Sequence, residues 1–191
     1  MNVYIISYKK NGKWNEMLKH SKKRFKELGY KVFLVEGYNL KENPEIKPNQ
    51  VCYMNLRDKF FPLVKNKLNI EDGFLVAEDD AYLNDILTPK YLLERLKSHS
   101  HLDNIIRVGY QKKLKQKGTS YPLGYYLVGT QLLWFPKKQI NKLKSELYKS
   151  KPQHLNGYFS KMKNLKVKIL DEEIQKKNKY VLELEHVSTT T

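Results

Sequence analysis

Short apolar runs recur along the chain, separated by longer stretches in which apolar and charged residues interleave. Val3–Ser7, Lys31–Val35, Gly73–Ala77, Ile105–Gly109 and Gly129–Phe135 are brief, and most are rich in β-branched or aromatic residues, the pattern of buried strands. Between the first two, Trp14, Met17, Leu18, Phe25 and Leu28 recur at helical spacing, and Gly29 follows as a C-cap. The spacing predicts further helices over Cys52–Leu68, with a kink or break at Pro62, and over Pro89–Leu96, with Thr88 as N-cap and Pro89 at the first helical position. Pro136–Tyr148 and His154–Met162 also read as helices, and Val167–Leu170 and Tyr180–Leu184 as late strands. Residues 37–50, with Gly37, Pro44 and Pro48, form a loop, and residues 110–126 read as irregular. Strand, helix, strand at these spacings is the βαβ unit of an α/β protein with a mostly parallel central sheet. No repeat and no linker interrupts it, so residues 1–191 form a single domain.

Size and charge narrow the classes. A chain of 191 residues with 40% hydrophobic and 12% aromatic content can bury a core and is not disordered. Its longest apolar runs fall well short of the roughly 20 residues that cross a bilayer. Lysines follow the apolar start rather than precede it, so it reads as a mature cytoplasmic terminus and not a signal peptide. Cys52 is the only cysteine, which excludes an intrachain disulfide and a cysteine zinc cluster. The formal charge is +16 and unevenly spread: residues 1–110 carry 19 basic and 14 acidic groups, residues 111–191 carry 17 and 6. Between Lys112 and Lys168 there are 14 lysines and one acid, Glu146. Such a field concentrates polyanions, although the Lys-, Asn- and Ile-rich composition of an AT-rich genome accounts for part of it.

The sharpest local chemistry is Phe74-Leu75-Val76-Ala77-Glu78-Asp79-Asp80. Three consecutive carboxylates at the end of a buried strand repel one another unless a cation neutralises them, and Mg²⁺ or Mn²⁺ suits oxygen donors of this kind. In open α/β sheets ligands bind outside the carboxyl ends of the strands, where this triplet falls. An acidic turn that caps a following element is the plain alternative.

Three patches in order resemble glycosyltransferase family 25, the lipooligosaccharide galactosyltransferase type. The segment from Phe74 to Leu83, FLVAEDDAYL, is similar to the strand and acidic motif ILEDDV of such nucleotide-sugar enzymes. Cys52–Phe60 resembles the helix start GC-x-x-S-H-x-x-x-W, with Asn55 and Leu56 in place of Ser and His. Gly129–Pro136 resembles G-T-H-x-Y-L-I-S, with Gln131 at the His position, and Asn104–Gly109 fits the intervening strand D-I-I-x-L-G. The resemblance implies a GT-A-like, Rossmann-like domain with a donor and metal half (1–110) and an acceptor half (111–191). It implies an inverting, metal-dependent transfer from a nucleotide sugar, a UDP-sugar foremost. Asp80 with Glu78 would hold Mn²⁺ or Mg²⁺, with His186 as a third ligand, and Asp79 would act at the donor. Ser7, Tyr8 and Lys9 would meet the nucleotide. The family's base Asp falls near Asn156, which cannot accept a proton, so His154 is the candidate base and Asp58, Asp85 and Asp171 stay open.

Lys112, Lys113, Lys115, Tyr121 and Tyr125, with Thr130 and Gln131, are the candidate acceptor contacts, because aromatic planes beside lysines suit unpaired bases or sugar rings. The acceptor is then a polyanion. A hydroxymethylated base in DNA stands slightly ahead of a phosphorylated or lipid-linked glycan at the inner membrane face. A cytoplasmic protein, including a viral one in its host's cytoplasm, meets the first. From other classes, a non-catalytic nucleic-acid-binding protein lacks any helix-turn-helix or zinc-finger signature. A metal-dependent nuclease would need a second acidic strand end.

Overall fold

The computed structural model describes residues 1–7, 13–65, 72–98, 104–109, 111–113, 126–128, 131–155, 158–159, 167–171 and 180–183. The N-terminal part runs β1 (Asn2–Ser7), α1 (Lys13–Glu27), β2 (Lys31–Glu36), α2 (Val51–Asn55), α3 (Phe61–Val64) and β3 (Gly73–Glu78). There follow β4 (Ala81–Leu83), α4 (Pro89–Ser98), β5 (Ile105–Arg107), β6 (Gln111–Lys113) and β7 (Tyr126–Val128). The chain continues with β8 (Leu132–Pro136), α5 (Lys137–Lys149), β9 (Val167–Ile169) and β10 (Val181–Glu183).

Six strands form the central sheet in the order β2-β1-β3-β8-β5-β9. β1 pairs in parallel with β2 and β3, and β5 in parallel with β9, while β8 runs antiparallel to both of its neighbours. The carboxyl ends of five strands therefore share one edge with the start of β8. β2 lies to one side of β1 and β3 to the other, which makes the β1–β3 junction the point where strand order reverses.

The continuous apolar runs follow from burial on both faces. Tyr4, Ile6, Phe74, Val76, Leu133 and Phe135 point to one core, and Val3, Ile5, Leu75, Ala77, Leu132 and Trp134 to the other. The first core lies beneath α2, α3 and α5, and centres on Phe60, whose ring stands 5.6 Å from Tyr4, 6.0 Å from Phe74 and 6.2 Å from Phe135. The second lies beneath α1 and α4, through Phe25, Leu92 and Leu96.

The helical stretch predicted over 52–68 has the foreseen irregularity, placed one turn early. Leu56–Phe60 is a π-helical turn joining α2 to α3, and Pro62 follows it. Proline lacks an N–H and its ring crowds the carbonyl four residues back, so the turn ahead of it widens. Thr88 caps α4 as expected, its Oγ1 accepting the Tyr91 N–H at 3.3 Å. Three strands escaped the sequence reading: β4 directly after the acidic triplet, β6 inside the stretch read as irregular, and β7 at its end.

Candidate functional site

β3 carries its apolar run to the sheet's carboxyl edge and delivers Glu78 opposite Ile6 of β1. The Glu78 N–H donates to the Gln131 carbonyl at 2.9 Å, which fixes the edge of β3 against the entry to β8. Asp79 and Asp80 form the turn into β4. Asp79 is 1% exposed, and one carboxylate oxygen of each aspartate is enclosed. β4 is held from both sides: it pairs with β10, and Arg24 of α1 donates to the Leu83 carbonyl at 2.8 Å, lies over the Tyr82 ring and pairs with Asp85. The acidic turn is thus clamped between two ladders rather than left on a loose loop.

Beside it, on the first core's face, a small apolar pocket of about 20 Å³ is lined by Ile6, Val76, Leu133, Cys52, Leu56 and Leu155, with Glu78 as its charged wall residue. Next to it β1 and β2 end in close contact. The Gly37 N–H donates to the Ser7 carbonyl at 2.8 Å, and the buried Asn55 accepts the Tyr38 N–H at 2.8 Å.

Of the predicted site residues, Ser7, Glu78, Asp79, Asp80 and Gln131 stand on the same edge. Gln131 is buried, 7% exposed, and its backbone supports Glu78. His154 is exposed and directly precedes Leu155 of the cavity wall; partial enclosure of its ring lowers its pKa below the ordinary 6.5. Tyr8, Lys9, Lys115, Tyr121, Tyr125, Thr130 and His186 lie outside the described residues, as do the side chains of Lys112 and Lys113. The three other carboxylates left open as bases are engaged elsewhere. Asp58 takes Arg57 at 2.6 Å and the Tyr38 hydroxyl at 3.2 Å, Asp85 pairs with Arg24, and Asp171 with Arg95.

The carboxylates at the turn are hard oxygen donors and fit Mg²⁺ or Mn²⁺ in kind. Among the described residues no three His, Cys, Asp or Glu side chains converge as a metal site, so any third protein ligand comes from outside them. Arg107 escaped the sequence reading. It ends β5, is 3% exposed, and sits opposite Leu133 of the cavity wall; burial lowers its pKa. The signal was present, since it is one of only four arginines and interrupts the apolar run Ile105-Ile106-Arg107-Val108. A guanidinium is rarely buried without a function or a partner.

Among the described residues no helix is long and apolar enough to cross a membrane. No family model matches the chain, and no curated protein matches it in sequence. Solved structures do. The chain is similar to a glycosyltransferase involved in the glycosylation of the major capsid of PBCV-1, with 13% identity, a TM-score of 0.57, and 98% of this chain and 99% of that one covered. It also matches the galactosyltransferase LgtC in complex with donor and acceptor sugar analogues, with 12% identity, a TM-score of 0.47, and 88% and 73% covered. The α/β fold with a mostly parallel sheet, expected from the sequence, is the fold this chain shares with that capsid-glycosylation enzyme over nearly its whole length.

Proposed function

We propose that the chain is a metal-dependent glycosyltransferase that moves a sugar from a nucleotide sugar to a hydroxyl of a polyanionic acceptor. The observation that carries this reading is the clamped acidic turn, Glu78–Asp80, at the strand-order reversal, with an apolar cavity beside it. Asp80 and Glu78, completed by His186, would hold Mn²⁺ or Mg²⁺. The ion, when bound, offsets the charge that builds on the diphosphate leaving group. Ser7, with Tyr8 and Lys9 beyond it, receives the nucleotide at the end of β1. Asp79 lies buried between the two ligands and orients the donor sugar.

His154 takes the proton of the acceptor hydroxyl. That oxygen attacks the anomeric carbon as the bond to the diphosphate breaks, which inverts the centre. The lowered pKa of His154 suits this role, since the neutral imidazole needed to accept a proton is the prevailing form at pH 7. The lysine-rich stretch from Lys112 to Lys168, including the exposed Lys137, Lys138, Lys142 and Lys149 of α5, favours a polyanion. A hydroxymethylated base in DNA is placed ahead of a phosphorylated glycan.

The test is donor turnover with UDP- and GDP-sugars and Mn²⁺, alone and with hydroxymethylated DNA or a phosphorylated glycan added. Transfer that needs Mn²⁺ and is stimulated by DNA is expected, and Asp80→Ala should reduce it about a hundred- to a thousandfold, the scale of a lost transition-state charge contact. An active Asp80→Ala, or full activity in chelator, would overturn the metal role. Stimulation by the glycan alone would replace the acceptor.

A further inference from the structure

α5 turns its apolar residues inward and its charge outward. Ile140, Leu143 and Leu147 are buried in the first core. At 3.6 residues per turn, Lys138, Lys142 and Lys149 fall in one row on the opposite side of the helix, and all three are exposed. The row extends about 16 Å along the helix axis, a length matched by about five phosphates of one nucleic-acid strand. Residues 137–151 hold six lysines and one acid, Glu146. Glu146 and Tyr148 are two residues apart and so lie on opposite flanks of the row. Beyond Tyr148 comes the π-helical turn, where Arg57 holds Asp58 at 2.6 and 2.9 Å and offsets its charge.

Tyr148 is the aromatic end of this face. It is 51% exposed, yet its ring is held in place. The hydroxyl donates to the Arg57 carbonyl at 3.2 Å, and the Arg57 guanidinium and the Lys144 ammonium stand 5.6 and 5.9 Å from the ring centroid. An exposed ring fixed beside two cations is a prepared plane for a base, because stacking accepts any base and the cations favour the flanking phosphates. The row also leads to the site. α5 begins at the far edge of the sheet, where the Lys137 N–H donates to the Asp72 carbonyl just ahead of β3, and it returns along β8 to the carboxyl edge. There the Tyr53 hydroxyl donates to the Leu147 carbonyl at 2.5 Å, and Gln50 Nε2 donates to the Pro152 carbonyl at 2.9 Å. Leu155, three residues on, lines the pocket beside Glu78.

An anionic membrane also attracts lysines, but a helix that lies on one sinks an apolar face into it, and the apolar face of α5 is committed to the core. We propose that the outer face of α5, with Tyr148 at its site end, is a docking surface for a nucleic-acid strand. The lysine row holds the phosphodiester backbone, and Tyr148 stacks on an unpaired base. A base that reacts must leave its duplex, and a stacking plane beside the site helps to hold the strand open. This inference rests on the nucleic-acid acceptor proposed above and adds where that acceptor is held.

The experiment measures fluorescence anisotropy of a labelled, unmodified single-stranded DNA of about 20 nucleotides, longer than most single-strand sites, with the full chain over a series of salt concentrations. Three variants are compared with wild type: Lys138→Gln/Lys142→Gln/Lys149→Gln, Tyr148→Ala, and a control, Lys19→Gln/Lys23→Gln/Lys26→Gln. The control removes the same charge from exposed positions of α1, on the other face of the sheet. Every substituted side chain is exposed, and circular dichroism checks that each variant folds. Each backbone contact to a single strand adds about −0.7 to the slope of log K against log salt. The α5 triple should therefore flatten the slope by about 2, and the control should leave it within about 0.5. Tyr148→Ala should weaken binding about five- to a hundredfold with the slope unchanged, the mark of lost stacking rather than lost charge. Equal flattening by the two triples would reduce the effect to net charge and overturn the surface, as would an unchanged slope in the α5 triple. Wild-type affinity in Tyr148→Ala would overturn the stacking role. Wild-type binding to phosphatidylglycerol–phosphatidylcholine vesicles and not to DNA would put a membrane in place of the nucleic acid and overturn the proposal. A wild type that binds DNA through α5 and turns over no nucleotide sugar upholds this surface and overturns the transferase reading. Donor turnover with no DNA binding at low salt does the reverse.

Discussion

Replacing Gly37 with alanine tests how closely the first two strands converge at the site. A Cβ there would lie 2.5 Å from the Ser7 carbonyl oxygen and 2.6 Å from Asn55 Nδ2. Neither neighbour can step aside at low cost. The carbonyl belongs to the end of β1 and already accepts the Gly37 N–H at 2.8 Å, and Asn55 is fully buried while it accepts the Tyr38 N–H at 2.8 Å. The substitution must strain two hydrogen bonds, each worth about 0.5–1.5 kcal/mol net. It also overpacks a closed site, at about 1–3 kcal/mol. The expected loss is about 2–5 kcal/mol in urea unfolding followed by circular dichroism, or a Tm about 5–15 °C lower for a chain of this length. Ser7 should move with the strand end, so the KM for the donor should rise in whatever fraction remains folded. The double variant Gly37→Ala/Asn55→Ala should be less destabilised than the sum of its parts, because one of the two collisions is gone. A Gly37→Ala protein within about 0.5 kcal/mol of wild type, inside the range of ordinary surface substitutions, would refute the close approach.

Two further outcomes follow from the geometry. Partial enclosure lowers the His154 pKa below 6.5, so the neutral form persists to lower pH; kcat/KM should fall only as pH drops through a value below 6.5, and His154→Asn should abolish that limb of the profile. A limb centred above 6.5 would exclude His154 as the base. The Tyr53 hydroxyl, fully buried, donates to the Leu147 carbonyl at 2.5 Å and lies 3.1 Å from the Ser150 carbonyl, tying α2 to the end of α5. Tyr53→Phe should therefore cost about 1–3 kcal/mol in urea unfolding, although the ring keeps its edge contact with Tyr158, and a loss under about 0.5 kcal/mol would discount the tie.

Much of the architecture could be read from the sequence because burial on both faces writes itself as unbroken apolar runs. β1, β3 and β8 are legible this way, and α1 from its apolar stripe. Thr88-Pro89 marked the start of α4 to the residue. What escaped were elements of three residues, β4 and the β6–β7 pair, whose existence depends on partners far away in the chain rather than on any local pattern. The acidic triplet was legible as a site because its charge contradicts its surroundings. Arg107 makes the same contradiction in a quieter form and was passed over inside a motif. Asp171 could not be understood from sequence at all: its partners Arg95 and Tyr180 lie 76 and 9 residues away, and only folding brings the three together.

The one reversed strand in the sheet has a consequence for how this protein can change. Because β8 runs against its neighbours, β5 leaves the sheet and β8 re-enters it at the same edge, with Val108 donating to the Leu132 carbonyl at 2.9 Å. Everything from Gly109 to Thr130 is therefore an excursion whose two ends are stitched together. Between β6 and β7 its length and composition can drift without shifting the register of the six-stranded sheet. Substitution between β6 and β7 is therefore the change that the buried sheet constrains least.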